Sequence, residues 1–161
     1  MRNSMTDLFM ILLNFIHDLG ITIWLGGAIF FVTILLPGLN TLPKEAMPYV
    51  GALNKSITKR WLPLVWSAIV LIILSGLLRA YYFGYLSPDI MFETSTGNHV
   101  LSKMILSLIM IILGLAQTNI GLKLSKGATP EYIAKIQKPM KILAYLIIIL
   151  AVITLALGAS L

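Results

Sequence analysis

Five ionisable side chains stand inside or at the edge of long apolar runs: His17, Asp18, Arg79, His99 and Lys103. A charge at the centre of a membrane span costs about 2.5–3.5 kcal/mol on insertion scales, so each of these residues needs a physical reason. Neutral imidazole is both a metal ligand and a proton carrier, and thioether sulfur suits Cu(I). His17 and His99, with Met104, Met110 and Met10 as soft auxiliaries, are therefore candidate metal ligands. Arg79 and Lys103 are candidate partners for an anion or for the carboxylates of a bound cofactor. Plainer roles stand beside these: Lys103 can snorkel to the interface, Arg79 can anchor it, His99 can be an interfacial polar residue, and methionines mostly fill space. Asp18 points about 100° away from His17 around a helix, so it is not its obvious partner.

The spacing of polar and small residues assigns two helical faces. His99, Lys103, Ser107, Met110, Gly114, Gln117 and Gly121 follow one another at intervals of three or four residues, which keeps all seven on one side of a helix. The remaining positions of that run are almost all Leu, Ile or Met. Such a stripe is either the wall of a pathway or cofactor site, or a packing seam in which small residues let helices approach closely. A matching face on the first run carries Asn14, His17, Ile21, Trp24 and Ala28, flanked by Gly20 and Gly27. Arg79 shares its face with Ser75 and Tyr82.

Positioning these residues requires long apolar helices. The 161 residues are 58% hydrophobic and 11% charged, and contain no cysteine. Soluble domains are nearer about 45–50% apolar and about 25% charged, and disorder needs low hydrophobicity, so both classes are excluded. The mean hydropathy is +0.94. The expected fold is all-α, an integral membrane four-helix bundle forming one domain, with spans at about 8–36, 62–82, 100–122 and 142–161. The first run exceeds the roughly 30 Å hydrocarbon core, so it tilts or lies partly at the interface. His17-Asp18 breaks this run, and no small-residue cleavage site follows, so it reads as a retained helix rather than a signal peptide.

Charge placement orients the bundle. Nine of the twelve Lys and Arg residues fall after the first span or between the third and fourth: Lys44, Lys55, Lys59, Arg60, Lys123, Lys126, Lys135, Lys138 and Lys141. The positive-inside rule puts these segments in the cytoplasm and both termini outside the cytoplasmic membrane. All five ionisable residues then lie in the outer half. The net charge of +6 is thus topogenic, and no nucleic-acid partner is expected; the partner is the lipid bilayer. Thr129-Pro130-Glu131 resembles a helix start, after which Tyr132, Ile133 and Ile136 would lie on the membrane surface with Lys135 and Lys138 in water, or the segment is a solvated loop. The segment Gly84–Asn98 carries turn signals.

The run from His17 to Phe30, H-D-L-G-I-T-I-W-L-G-G-A-I-F, resembles the first helix of the copper-resistance D (CopD) family, in which a His stands seven residues before W-L-G-G. Arg60 to Leu78 is similar to that family's second helix, which ends in an L-S-G-L segment. Ser95 to Lys103 resembles its T-x-Y-G-x5-K approach to the third. The related HemJ-type protoporphyrinogen oxidases share the four-helix plan and the early His, with a His-x-Lys pair where this chain has His99-x3-Lys103; the departure favours the CopD side. The resemblance implies copper passage across the cytoplasmic membrane, with His17 and Lys103 as the matched polar residues, and His99 supported by its helical face alone. CopD proteins are often longer or fused to other domains, which implies a homodimer or a larger membrane complex.

Three readings follow. The first is copper transport or delivery rather than catalysis, with His17, His99, Met104 and Met110 as ligands. The second is a membrane oxidoreductase holding haem b, with His17 axial and Arg79, His99 or Lys103 near the macrocycle and its propionates. The third is an accessory subunit whose polar face is an interface.

Overall fold

The computed structural model describes residues 4–35, 37–38, 41–125 and 130–159. Among them the chain is almost entirely helical, with no strand. Helix α1 spans Ser4–Phe30 and continues into a π-helical turn, Phe31–Leu35. A short 3-10 turn at Lys44–Ala46 leads into α2, Met47–Tyr82. The short α3, Pro88–Glu93, precedes α4, Ser95–Ser125, and α5, Pro130–Ala159.

Among the described residues four helical stretches are long and apolar enough to cross a membrane: Met5–Leu35, Lys55–Tyr82, Ser95–Lys123 and Lys138–Gly158. The shortest has 21 residues, about 32 Å at 1.5 Å per residue, which matches the hydrocarbon thickness. Large apolar side chains cover the outside of the bundle; Leu108 and Ile112 are 58% and 57% exposed. In water that surface would aggregate, whereas in lipid it is the required exterior. The protein is a multi-pass membrane protein. Tyr81, Tyr82, Phe83 and Tyr85 gather where α2 ends, with Tyr82 edge-on to Phe83, an arrangement suited to the membrane–water interface.

Two helices start well before the apolar runs that define their spans. Lys55, Lys59 and Arg60 lie on α2 rather than in a loop, because Pro48, the one proline between Met47 and Trp61, stands in the first turn, where a helix tolerates it. Likewise α5 starts at Pro130, a residue suited to the first helical position. Lys135, Lys138 and Lys141 are therefore helical, with Lys135 and Lys138 exposed and Ile136 half-buried. The side chains of Tyr132 and Ile133, and Thr129 itself, lie outside the described residues. Gly84 makes the turn after α2 with φ of +75°, a left-handed conformation that a glycine adopts without strain.

The helices pack as two neighbouring pairs, α1 with α2 and α4 with α5, joined by α2–α4 and α1–α5 contacts. Helix α1 approaches α2 closely because glycine faces bulk. At Gly27 an added Cβ would overlap the Trp61 ring. Buried alanines, Ala68, Ala80, Ala144 and Ala151, line the interior together with Leu13, Val32, Ile69, Met110 and Ile147. Small side chains let helix backbones come together without a hydrophobic driving force.

Candidate functional site

His17 projects from the middle of α1 against α2, and its ring is held by two acceptors. The Nδ1 atom lies 2.9 Å from the Ser75 hydroxyl oxygen and 3.1 Å from the Ile72 carbonyl oxygen. Ser75 is 2% exposed, and its hydroxyl donates to the Leu71 and Ile72 carbonyls. Its oxygen lone pairs therefore face the imidazole. A carbonyl can only accept, so Nδ1 carries the hydrogen and Nε2 keeps its lone pair. Nε2 has no hydrogen-bond partner among the described residues. Next to Nδ1 on the ring, Cε1 would sit 3.3 Å from a Cβ placed on Gly76. The ring is thus clamped by Ile72, Ser75 and Gly76.

Charged groups surround this imidazole. Arg79, one turn beyond Ser75, together with Asp18 and Lys103, acts electrostatically on the His17 ring, and Arg79 acts on Lys103 as well. Asp18 itself is exposed and makes no hydrogen bond to His17. Lys103 reaches across to α5: its Nζ lies 3.5 Å from where a Cβ on Gly158 would stand. Gly158 is in the last turn of α5, where the helix dipole presents its negative end. That explains how a lysine can face the bundle with no described carboxylate beside it.

The α4 stripe faces inward along its whole length. His99, Lys103, Ser107, Gly114, Gln117 and Gly121 are half-buried and Met110 is 2% exposed. His99 sits in the second turn of α4, not in a loop. Met104 lies off the stripe and is 38% exposed. The stripe is not a tight seam at its lower half: a Cβ on Gly114 or Gly121 would meet nothing within 4 Å. Both glycines border a cavity of about 150 Å³ among the four spans, walled by Trp24, Trp61 and Trp66 and reached by Gln117 and Met140. A second cavity, about 230 Å³, lies at the other end, between the start of α1 and the end of α2, and is lined by Asp7, Met10, Asn14 and Tyr82.

No three His, Cys, Asp or Glu residues come together among the described residues. A metal ion here would rest on an imidazole aided by thioether, amide or hydroxyl groups. Nothing in the arrangement of the described residues supports the haem alternative.

Of the residues singled out from the sequence, Arg79 and Lys103 stand near enough to His17 to act on its charge, whereas the α4 stripe runs on from His99 to Gly121 and its lower half borders the 150 Å³ cavity. Sequence reasoning did not find that Ser75 fixes His17. The available signal was a lone hydroxyl in an otherwise apolar stretch, four residues before Arg79. It also passed over Asp7 as a contributor to a cavity.

No curated protein and no solved structure matches the chain. The family model described as Copper resistance protein D (CopD) matches residues 55–161, about two-thirds of the sequence, from α2 to the end of α5. That stretch holds Ser75, Arg79, His99 and Lys103, while His17 stands before it. On this match the chain belongs to the CopD family of copper-resistance membrane proteins.

Proposed function

We propose that this protein handles copper in the cytoplasmic membrane, holding the ion at His17 and passing it along the inward face of α4. The observation that carries the reading is the clamped imidazole. A metal-binding His typically donates its second ring N–H to a carbonyl or another acceptor, which fixes the tautomer and orients the lone pair. His17 has that arrangement with Ile72 and Ser75, and Nε2 is left free. Met110 adds a buried thioether on the α4 stripe, a donor that favours Cu(I) over harder ions. With the basic segments in the cytoplasm, His17 is nearer the outer surface, so copper enters there and leaves through the cytoplasmic half. Membership in a copper-resistance family supports the cargo.

The test is metal analysis together with the absorbance spectrum of the purified protein and its His17→Ala variant. Bound copper without a Soret band in the parent, lost in the variant while the protein still inserts, is the expected result. Full copper content in the variant would remove His17 from the site, and a Soret band would replace copper by haem.

A further inference from the structure

A cation approaching His17 from outside meets Arg79 and Lys103, both positively charged. The α1 face that carries His17 supplies an alternative route. Asp7, Met10, Asn14 and His17 are spaced three, four and three residues apart, so they share one side of the helix. Successive members are about 4.5–6 Å apart along the axis. Asp7, Met10 and Asn14 line the half-open cavity of about 230 Å³ at the end of α1, bordered on the other side by Tyr82 and Phe83. A water takes roughly 30 Å³ in the liquid, so a hydrated ion fits there. None of the three side chains has a hydrogen-bond or ion-pair partner among the described residues. The first 31-residue stretch is about 46 Å long, well over the roughly 30 Å core, which leaves its first turns near the aqueous boundary.

We propose that Asp7, Met10 and Asn14 form an intake site for Cu(I) that feeds His17. The inference rests on the copper reading of His17 and adds where the ion is collected. Asp7 carries the one negative charge on this face and concentrates cations. Met10 supplies a soft sulfur that selects passing Cu(I) over harder cations. Asn14 gives the rest of this face toward His17 a polar lining. Each transfer is a ligand exchange: a bond to the next donor forms as the bond behind it breaks, and the ion stays Cu(I) throughout.

The experiment measures the rate and final amount of loading of the full-length protein by chelator-buffered Cu(I), at low and high salt. The parent is compared with Asp7→Asn, Met10→Leu, the double variant and His17→Ala. The double variant is expected to load about tenfold more slowly, the scale on which a focusing charge accelerates capture, and to reach the same final amount. That equal end point also shows that the variant is folded. The Asp7→Asn defect is expected to shrink at high salt, which screens the charge. A double variant that loads at the parental rate, while His17→Ala has lost its copper, would overturn the intake site and leave the copper reading standing. A lower final amount would overturn it as well, by making Asp7 or Met10 part of the resting site. A parent protein that takes up no copper would refute both readings together.

Discussion

Replacing Ser75 by Ala tests whether the clamp on His17 matters for metal binding. The change removes one oxygen from a position that is 2% exposed and leaves the backbone of α2 untouched. Its hydroxyl bonds to Leu71 and Ile72 are local, so their loss does not unsettle the helix. What remains at the ring is the single 3.1 Å bond from Nδ1 to the Ile72 carbonyl oxygen, without the 2.9 Å contact to Ser75. A neutral hydrogen bond contributes about 0.5–1.5 kcal/mol net, so the expected loss of fold stability is about 1 kcal/mol. The loss of copper affinity is expected to be larger in relative effect, about 10-fold to 100-fold, as for other removed partners of a ligating His.

The assay is competition for Cu(I) against a chelator of known affinity, paired with thermal unfolding of the same detergent-solubilised samples. A double-mutant cycle with His17→Ala isolates the pair. If Ser75 acts through the imidazole, Ser75→Ala has no further effect on copper once His17 is gone. Unchanged copper affinity in Ser75→Ala, with the His17→Ala defect intact, would refute the argument from tautomer to ligand. An equal loss in both backgrounds would assign Ser75 a purely structural part.

Three further outcomes follow from the geometry. Gly27→Ala is expected to destabilise the protein by about 1–3 kcal/mol, because its Cβ would overlap the Trp61 ring; Gly114→Ala, which meets open space, is expected to be neutral or to gain up to about 1 kcal/mol from helix propensity, both read by thermal unfolding. Cysteines introduced at Ser56 are expected to resist an impermeant thiol reagent in intact cells while one at Ser87 labels, and labelling at Ser56 would invert the orientation. Lys103→Met, which keeps length and removes charge, is expected to lower copper transfer without lowering the amount of folded protein; unaltered transfer would reduce Lys103 to a cap on the end of α5.

The four spans and the inward face of α4 were legible in the sequence, because lipid selects apolar length and helical periodicity sorts residues onto faces. Leu108 and Ile112 lie outside and Met110 inside, as the three- and four-residue spacing dictates. The starts of α2 and α5 were not legible from hydropathy, which reports contact with lipid and not helicity. Lysines such as Lys55 and Lys138 leave the membrane without leaving the helix. The stripe left a further choice open at Gly114 and Gly121, since a missing side chain gives either a close contact or a void. Which one results depends on what stands opposite, and here the neighbouring helices leave a cavity bordered by indoles.

Ser75 shows why a site is harder to read than a fold. Its role depends on the register of α1 against α2, set by the contacts of Gly20 with Ala68 and Ile72 and of Gly27 with Trp61. No local pattern encodes that register, because the two partners are 58 residues apart. A slip of one turn would carry His17 away from Ser75 and Gly76 while preserving every apolar face. The small residues that look like packing features are therefore also what aims the imidazole. Ser75 lies in the part of the chain that matches the CopD family, and His17 lies before it. The bond between them joins the family-bearing helices to the one helix that carries the free ring nitrogen, so the copper reading depends on both parts of the chain at a single contact.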